Sequence, residues 1–322
     1  MKNLRMATAL VVVALLLALV PASLAQDQTF GLSVEDKAVL DAANAATASA
    51  TSAQFNFVAN LTATSEGETL TLDLSGTGLF DQNENGEANF QLSLNGSADM
   101  GENGQMPLTA EIRVIDSTLY FMVPALLGPQ WLSLSPDEVS GLSSDMGFDP
   151  AELAAGDMSS LEGAEGFGEM MAALAEVQPE QYISMTRNGD QFTTTIDLVG
   201  LISSEAFQSF IRSSVEANAD SMDEISEADL DELNEMLAEL PAALQDSSLT
   251  LDQYVTDGMI SRTVLNVALN IDPSAVGEDE PAVSIALTFD ISLSGYNQDY
   301  TIEVPEDAVS FAEMMSGMSA SN

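Results

Sequence analysis

Alternating apolar and polar residues form several short runs along the chain, and this alternation predicts most of its strands. The first group of runs covers residues 53–135, a hairpin follows at 181–198, and a second group covers 248–304. Successive runs with a period of two residues indicate antiparallel strands that share one apolar face. Turn pairs such as Glu66-Gly67 and Asp257-Gly258 separate the runs and are typical of hairpins.

Cap residues and apolar residues spaced three or four apart predict helices at 33–52, 149–177, 203–245 and 305–315. At the start of the first helix, Ser33 is the predicted N-cap and Asp36 stands three residues later, as in a capping box. The helices therefore divide the two strand-rich regions and flank them at both ends.

This order of elements predicts an α+β fold. A long antiparallel sheet is expected to curve, which gives a half-open β-barrel with helices packed in its concave face. Residues 26–32 are predicted to form an N-terminal linker, residues 33–316 a single domain, and residues 317–322 a tail.

The first 25 residues are typical of an export signal, because Lys2 and Arg5 precede an apolar stretch at 7–20 and small residues lead to a cleavage site after Ala25. That stretch is shorter than the roughly 20 residues of a membrane span, and an uncleaved anchor is the alternative. We therefore expect the mature protein outside the cytoplasm, either secreted, periplasmic or on the cell surface.

Composition narrows the chemistry that this chain can perform. It contains no histidine and no cysteine, and its 51 acidic residues against 7 basic ones give a formal net charge of −44 at pH 7. Ser-His-Asp and Cys-His catalysis are excluded, as are zinc sites built from histidine or cysteine. We expect a protein that is not an enzyme and has no cofactor. The acidic surface repels nucleic acid and anionic lipid headgroups, so membrane contact should be transient at most.

Three local motifs, taken together, indicate a family resemblance. An alanine-rich helix leads into an aromatic strand at 45–57, Leu119-Tyr120-Phe121 is followed by Pro124 and Trp131, and a third motif covers 301–308. They resemble the LolA/LolB-like superfamily of bacterial lipoprotein carriers, and most closely its LppX/LprG-like lipid-carrier lipoproteins. The resemblance extends over residues 35–315 and implies a half-open barrel whose hollow holds acyl chains. Many relatives carry a lipid-anchored cysteine after the signal, and this chain has none.

Apolar residues of the predicted strands and middle helices are the candidates to line such a hollow. The same residues could instead fill a solid core, and both interpretations stay open. The first favours binding or carriage of a lipid or other apolar ligand, and the second favours an acidic scaffold that mediates protein contacts. The candidate ligand-binding residues are Phe55, Phe57, Leu61, Leu72, Leu74, Phe90, Leu92, Ile112, Val114, Leu119, Phe121, Trp131, Met170, Met171, Leu174, Phe207, Phe210 and Ile211.

Two polar segments also have more than one interpretation. Asp81, Asn83 and Asn85 match the first half of a calcium loop, but Leu92 stands where a bidentate glutamate is expected, and a polar hairpin turn explains them as well. The acidic segment at 216–246 could bind a basic protein partner, or it could be the solvated face of a helix.

Overall fold

The structure, a computed structural model, describes residues 29–83, 86–99, 101, 104–136, 138, 179–205, 207–209, 238–272, 274 and 281–314. The predictions for the signal at 1–25, the helix at 149–177 and the tail at 317–322 lie outside these residues, as does the acidic segment up to residue 237. The chain forms two compact units. Unit 1 comprises Met1–Ala46, Asn60–Thr71 and Gly166–Asp290, and unit 2 comprises Thr47–Ala59, Leu72–Glu165 and Ile291–Asn322.

Strands outnumber helices in the described residues. The helices described from end to end are α1 (Val34–Ala48), α2 (Pro124–Leu127) and α3 (Leu198–Ser203). Residues 238–243, within the helix predicted at 203–245, and residues 311–314 are also helical. The strands are β1 (Ser52–Ser65), β2 (Glu68–Gln82), β3 (Ala88–Asp99), β4 (Gln105–Ile115), β5 (Thr118–Met122), β6 (Leu132–Leu134), β7 (Ile183–Asn188), β8 (Gln191–Ile196), β9 (Ser248–Thr256), β10 (Met259–Ile271), β11 (Val283–Ser294) and β12 (Val309–Ser310). No helix within these ranges combines the length and apolar character of a membrane span.

The strands form one 12-stranded sheet in the order β12-β6-β5-β4-β3-β2-β1-β11-β10-β9-β8-β7. Hairpin neighbours such as β3 with β4 and β9 with β10 are antiparallel, whereas β12 runs parallel to β6. The sheet is therefore mixed, and the prediction of a wholly antiparallel sheet is wrong at this pair. A parallel pair needs a long connection, and the chain between β6 and β12 provides one.

Unit 1 has a buried core between α1 and one face of β7–β10. Ile196, Leu249 and Val267 are cross-strand partners on that face, and none is more than 3% exposed. From α1, Leu40 is 4% exposed and Ala43 is 0% exposed. The Gln253 amide of β9 donates to Asn44 Oδ1 of α1 at 3.3 Å, which places the helix on this face, where an amphipathic helix stabilises a sheet by burying its apolar side.

Ser33 caps α1, as the sequence pattern predicts. The Asp36 N–H donates to Ser33 Oγ at 3.0 Å, and the Ser33 hydroxyl donates to Asp36 Oδ2 at 2.7 Å. The hydrogen bonds from Ser33 and from the Arg187 guanidinium hold the pKa of Asp36 below its usual range. The helix ends at Ala48 and not at residue 52, because Ser52 already belongs to β1 and its hydroxyl donates to Gln298 O at 2.6 Å.

The C-terminal segment differs from the prediction. Residues 299–304 form no strand, and the helix expected at 305–315 is reduced to residues 311–314 in the described part, after β12. In the sheet order, β11 already lies between β1 and β10, so it has no free edge for a hairpin with 299–304. Instead, Arg113 holds this segment by donating to Glu303 O at 2.6 Å.

Two further boundaries, the end of the predicted hairpin at residue 198 and the extent of the predicted linker, differ from the prediction because of the hydrogen bonds made there. Leu198 begins α3 and does not end a strand, because the Asp197 side chain caps the helix by accepting the Gly200 N–H at 2.9 Å. In the predicted linker, Phe30 is 6% exposed, and its carbonyl accepts the Met185 N–H at 2.6 Å. The described part of the linker therefore packs within unit 1.

Candidate functional site

The strands of unit 2 bring many of the predicted ligand-binding residues onto one face. Residues paired across neighbouring strands project to the same side of a sheet, and successive residues of a strand alternate between its sides. Two rows of cross-strand partners follow from the register: Phe90–Val114–Leu119 and Leu92–Ile112–Phe121. These rows form a contiguous apolar patch across β3, β4 and β5.

Two phenylalanines of β1 extend this patch over glycines of β2. A β carbon added at Gly78 would meet the ring of Phe55, and one added at Gly76 would meet the ring of Phe57. The glycines thus leave the space that the rings occupy. Phe55 also stacks on Phe90, with ring centroids 5.6 Å apart and planes 20° apart. Leu72 and Leu74 share the side of Gly76 and Gly78 in β2 by alternation, and a β carbon added at Gly96 of β3 would meet the Leu74 side chain. We define the apolar face as Phe55, Phe57, Leu72, Leu74, Phe90, Leu92, Ile112, Val114, Leu119 and Phe121.

The side chains of the apolar face are all half-buried. The core face of unit 1 differs, because Phe192 and Leu249 there are 0% exposed. At the end of the rows in unit 2, Leu132 and Leu134 of β6 are only 2% and 6% exposed. A contiguous apolar surface that is incompletely buried is typical of binding sites. The apolar face is therefore the candidate functional site.

The opposite face of the same strands carries charge. Arg113 pairs with Gln91 and Tyr120, so it projects away from the apolar face. Its guanidinium lies 4.9 Å from the ring centroid of Trp131. Trp131 was predicted to line the ligand site, but the structure separates it from the apolar face. The register that places Arg113 on the other side of β4 explains this difference.

The remaining predicted ligand-binding residues are outside the apolar face as defined, although Leu61 shares the side of Phe55 and Phe57 in β1 by alternation. Phe207 is 5% exposed and belongs to unit 1, as does Leu61. The others lie outside the described residues, namely Met170, Met171, Leu174, Phe210 and Ile211.

The C-terminal segment reaches one end of the apolar face. The ring centroids of Phe311 and Phe121 are 6.5 Å apart. The segment is held in place by β12, where the Val309 N–H donates to Trp131 O at 3.0 Å. A second attachment is the Ser310 hydroxyl, which donates to Glu138 Oε1 at 3.3 Å. Glu138 therefore connects the segment to the chain that follows β6.

Glu138 also completes a capping box that we did not single out in the sequence, although Ser135-Pro136-x-Glu is a typical signal for one. The Ser135 hydroxyl and N–H donate to Glu138 Oε2 at 2.7 and 2.8 Å. These two bonds lower the pKa of Glu138, and bonds from the Ala312 N–H and the Ser310 hydroxyl add to the effect. The ionised carboxylate is therefore the form that holds the C-terminal segment.

We expect acid to release the C-terminal segment from Glu138. Because folding lowers the pKa of Glu138, its contribution to stability is complete above its usual pKa of 4.5 and is lost as the pH falls through the lower folded pKa. The protein has one tryptophan, Trp131, whose carbonyl accepts the Val309 N–H, so its fluorescence should report this step. Glu138→Gln should give the acid spectrum already at neutral pH, whereas Glu306→Gln on the same segment should not. An unchanged acid transition in Glu138→Gln would contradict this assignment.

The predicted calcium loop contains a hydrogen-bonded turn. Asn83 Oδ1 accepts the Glu87 N–H at 2.9 Å, and the Asn83 amide donates to Glu87 Oε2 at 2.9 Å. Asp81 belongs to β2, and Asn85 lies outside the described residues. In the ranges that the structure describes, no group of three or more acidic side chains is placed to hold a metal ion. The turn interpretation therefore accounts for the two hydrogen bonds between Asn83 and Glu87, and the Asn83 amide also donates to Asp116 Oδ1 at 3.4 Å.

Comparisons with known proteins leave the family open. No family model matches the sequence, and no curated protein matches it. Among solved structures, the chain is similar to an S-type phycobiliprotein lyase from Guillardia theta, with 5% identity, a TM-score of 0.17, and coverage of 77% of this chain and 88% of the lyase. A TM-score this low carries no argument about fold or function.

Proposed function

We propose that this protein binds or carries a lipid or another apolar ligand on the apolar face, outside the cytoplasm and without catalysing a reaction. The proposal includes the architecture that the LolA/LolB-like resemblance implies, in which a half-open barrel and its helices enclose the ligand. Export through the predicted signal would bring the protein to the compartment where such carriers work.

The observation that carries the proposal is the combination of register and burial on the apolar face. Its rows place large apolar side chains next to one another on β3, β4 and β5, and all of them are half-buried. Covering such surface with an apolar ligand is favourable by about 0.8 kcal/mol for each buried CH₂ group, before the cost of ordering the ligand. An acyl chain is long and flexible enough to follow rows that cross several strands.

The test is a titration of the mature protein with N-phenyl-1-naphthylamine, an uncharged apolar probe whose fluorescence rises on binding. We expect saturable binding. Leu92→Glu places a carboxylate in the middle of the apolar face and should weaken binding by about tenfold or more, because the charge would have to be desolvated. Ser93→Glu is the matched control, since it adds the same charge one residue later, on the opposite side of β3.

The proposal fails if the parent protein shows no saturable binding. It also fails if Leu92→Glu and Ser93→Glu bind the probe with equal affinity. Circular dichroism of both variants would show that the fold is retained. A parent protein that binds no probe would favour the alternative prediction of an acidic scaffold for protein contacts.

A further inference from the structure

On β3, β4 and β5 the apolar face carries no charged side chain, and on β2 the charged residue that shares its side is Glu68, at the start of the strand. By alternation along each strand, the positions that share its side in β3 and β4 are apolar residues, alanine or glycine. The charged residues of these strands, such as Glu111 and Arg113, occupy the alternate positions and project to the other side. A ligand on the apolar face would therefore meet no fixed charge from the middle of these strands.

Arg113 is the only lysine or arginine in the sequence of unit 2, whereas acidic residues are numerous there. Its guanidinium donates to Glu303 O at 2.6 Å and lies 3.8 Å from Glu111 Oε2. It also stacks against Trp131 on the side opposite the apolar face. The one cation of this unit is thus turned away from the candidate site and engaged in internal contacts.

The described cations of unit 1 are also engaged within that unit. Arg262 donates to both carboxylate oxygens of Asp290, at 2.9 and 2.6 Å. Arg187 pairs with Asp36 at 2.6 Å. Lys37 pairs with Asp41 one helical turn later. Each of these three cations is therefore paired with a carboxylate of the protein itself.

We propose that the ligand of the apolar face is an uncharged or cationic amphiphile, and that the protein discriminates against a ligand with an anionic head group. This inference rests on the proposed function and names its ligand class. An anionic head group would enter a strongly negative field without a counter-charge. Hydroxyl or ester head groups would avoid that repulsion, and a cationic head group would be attracted.

Three probes that share a pyrene-labelled dodecyl chain and end in a hydroxyl, a trimethylammonium or a carboxylate group would test the preference. At about pH 8 the carboxylate is ionised. At about 20 mM salt we expect the carboxylate probe to bind at least about tenfold more weakly than the other two, and at about 500 mM salt the gap should shrink. Equal or tighter binding of the carboxylate probe would overturn the inference. Failure of all three probes to bind would instead overturn the proposed function.

A matched pair of variants locates the effect on the apolar face. Ala110→Lys places a cation beside Leu94 on the apolar side of β4, and Thr109→Lys places the same charge on the opposite side. Ala110→Lys should restore binding of the carboxylate probe by about tenfold, and Thr109→Lys should restore much less of it, because exposed charges are screened. Equal restoration by the two variants would assign the preference to overall charge and overturn the role of the apolar face.

Discussion

Replacing Phe192 by alanine is expected to lower the free energy of unfolding by about 3–5 kcal/mol, the range for removing a buried aromatic side chain. Phe192 is 0% exposed in the core of unit 1. The Arg187 guanidinium lies 5.0 Å from the centroid of its ring, so the substitution also removes a cation–π contact. Urea unfolding followed by circular dichroism would measure the loss, and hydrogen exchange should show that β7–β10 lose protection first.

Phe90→Ala is the matched variant on the apolar face. It removes the same ring from a half-buried position, and we expect a loss of about 1–2 kcal/mol, since only part of the ring is covered. The comparison bears directly on the proposed function. If Phe90→Ala destabilised the protein as much as Phe192→Ala, the apolar face would be an ordinary core, and the case for ligand binding there would be lost.

The strands were predictable because the two signals that mark them, alternation of apolar and polar residues and the residues of tight turns, are both local. Alternation fixes which side of a strand is apolar, and two-residue turns need backbone angles that few residues adopt easily. At the turn between β9 and β10, Asp257 and Gly258 have φ values of 53° and 77°. The predicted turn at Asp257-Gly258 is therefore the one that joins β9, which ends at Thr256, to β10, which begins at Met259.

Burial was not predictable from the same pattern. In β3, Phe90, Leu92 and Leu94 alternate with polar residues and are half-buried. In β8, the alternate residues Phe192, Thr194 and Ile196 are less apolar, yet they are at most 3% exposed. Alternation selects the side of a strand, but burial depends on what packs against that side, and in unit 1 this includes α1.

The side of the sheet on which Trp131 lies and the path of the C-terminal segment both depend on contacts with residues that are distant in the sequence. Trp131 packs on Arg113, and Arg113 donates to Glu303, which is far away in the sequence. The segment after β11 cannot form a hairpin with it because β1 and β10 occupy both edges. No local pattern reports such pairings, so the sequence could not show that Trp131 packs on Arg113 or that residues 299–304 form no strand.

Gly78→Val is expected to destabilise the protein by about 1–3 kcal/mol, although valine normally favours strands. A β carbon at this position would lie 2.6 Å from the backbone oxygen of Gln91 and would also meet the Phe55 ring. Thr77→Val, on the exposed opposite side of β2, is the control and should change stability by less than about 0.5 kcal/mol. Urea unfolding would measure both changes.

The same substitution should weaken binding of N-phenyl-1-naphthylamine, because moving the Phe55 ring disrupts its stack on Phe90 in the middle of the apolar face. A double-mutant cycle of Gly78→Ala with Phe55→Ala separates the two contacts. If the ring is the main obstacle, Phe55→Ala should remove most of the cost of Gly78→Ala. If the Gln91 carbonyl is the main obstacle, the two losses should add. Stability and probe binding both unchanged in Gly78→Val would show that this close packing of β1 on β2 is wrong, and with it the geometry assigned to the candidate site.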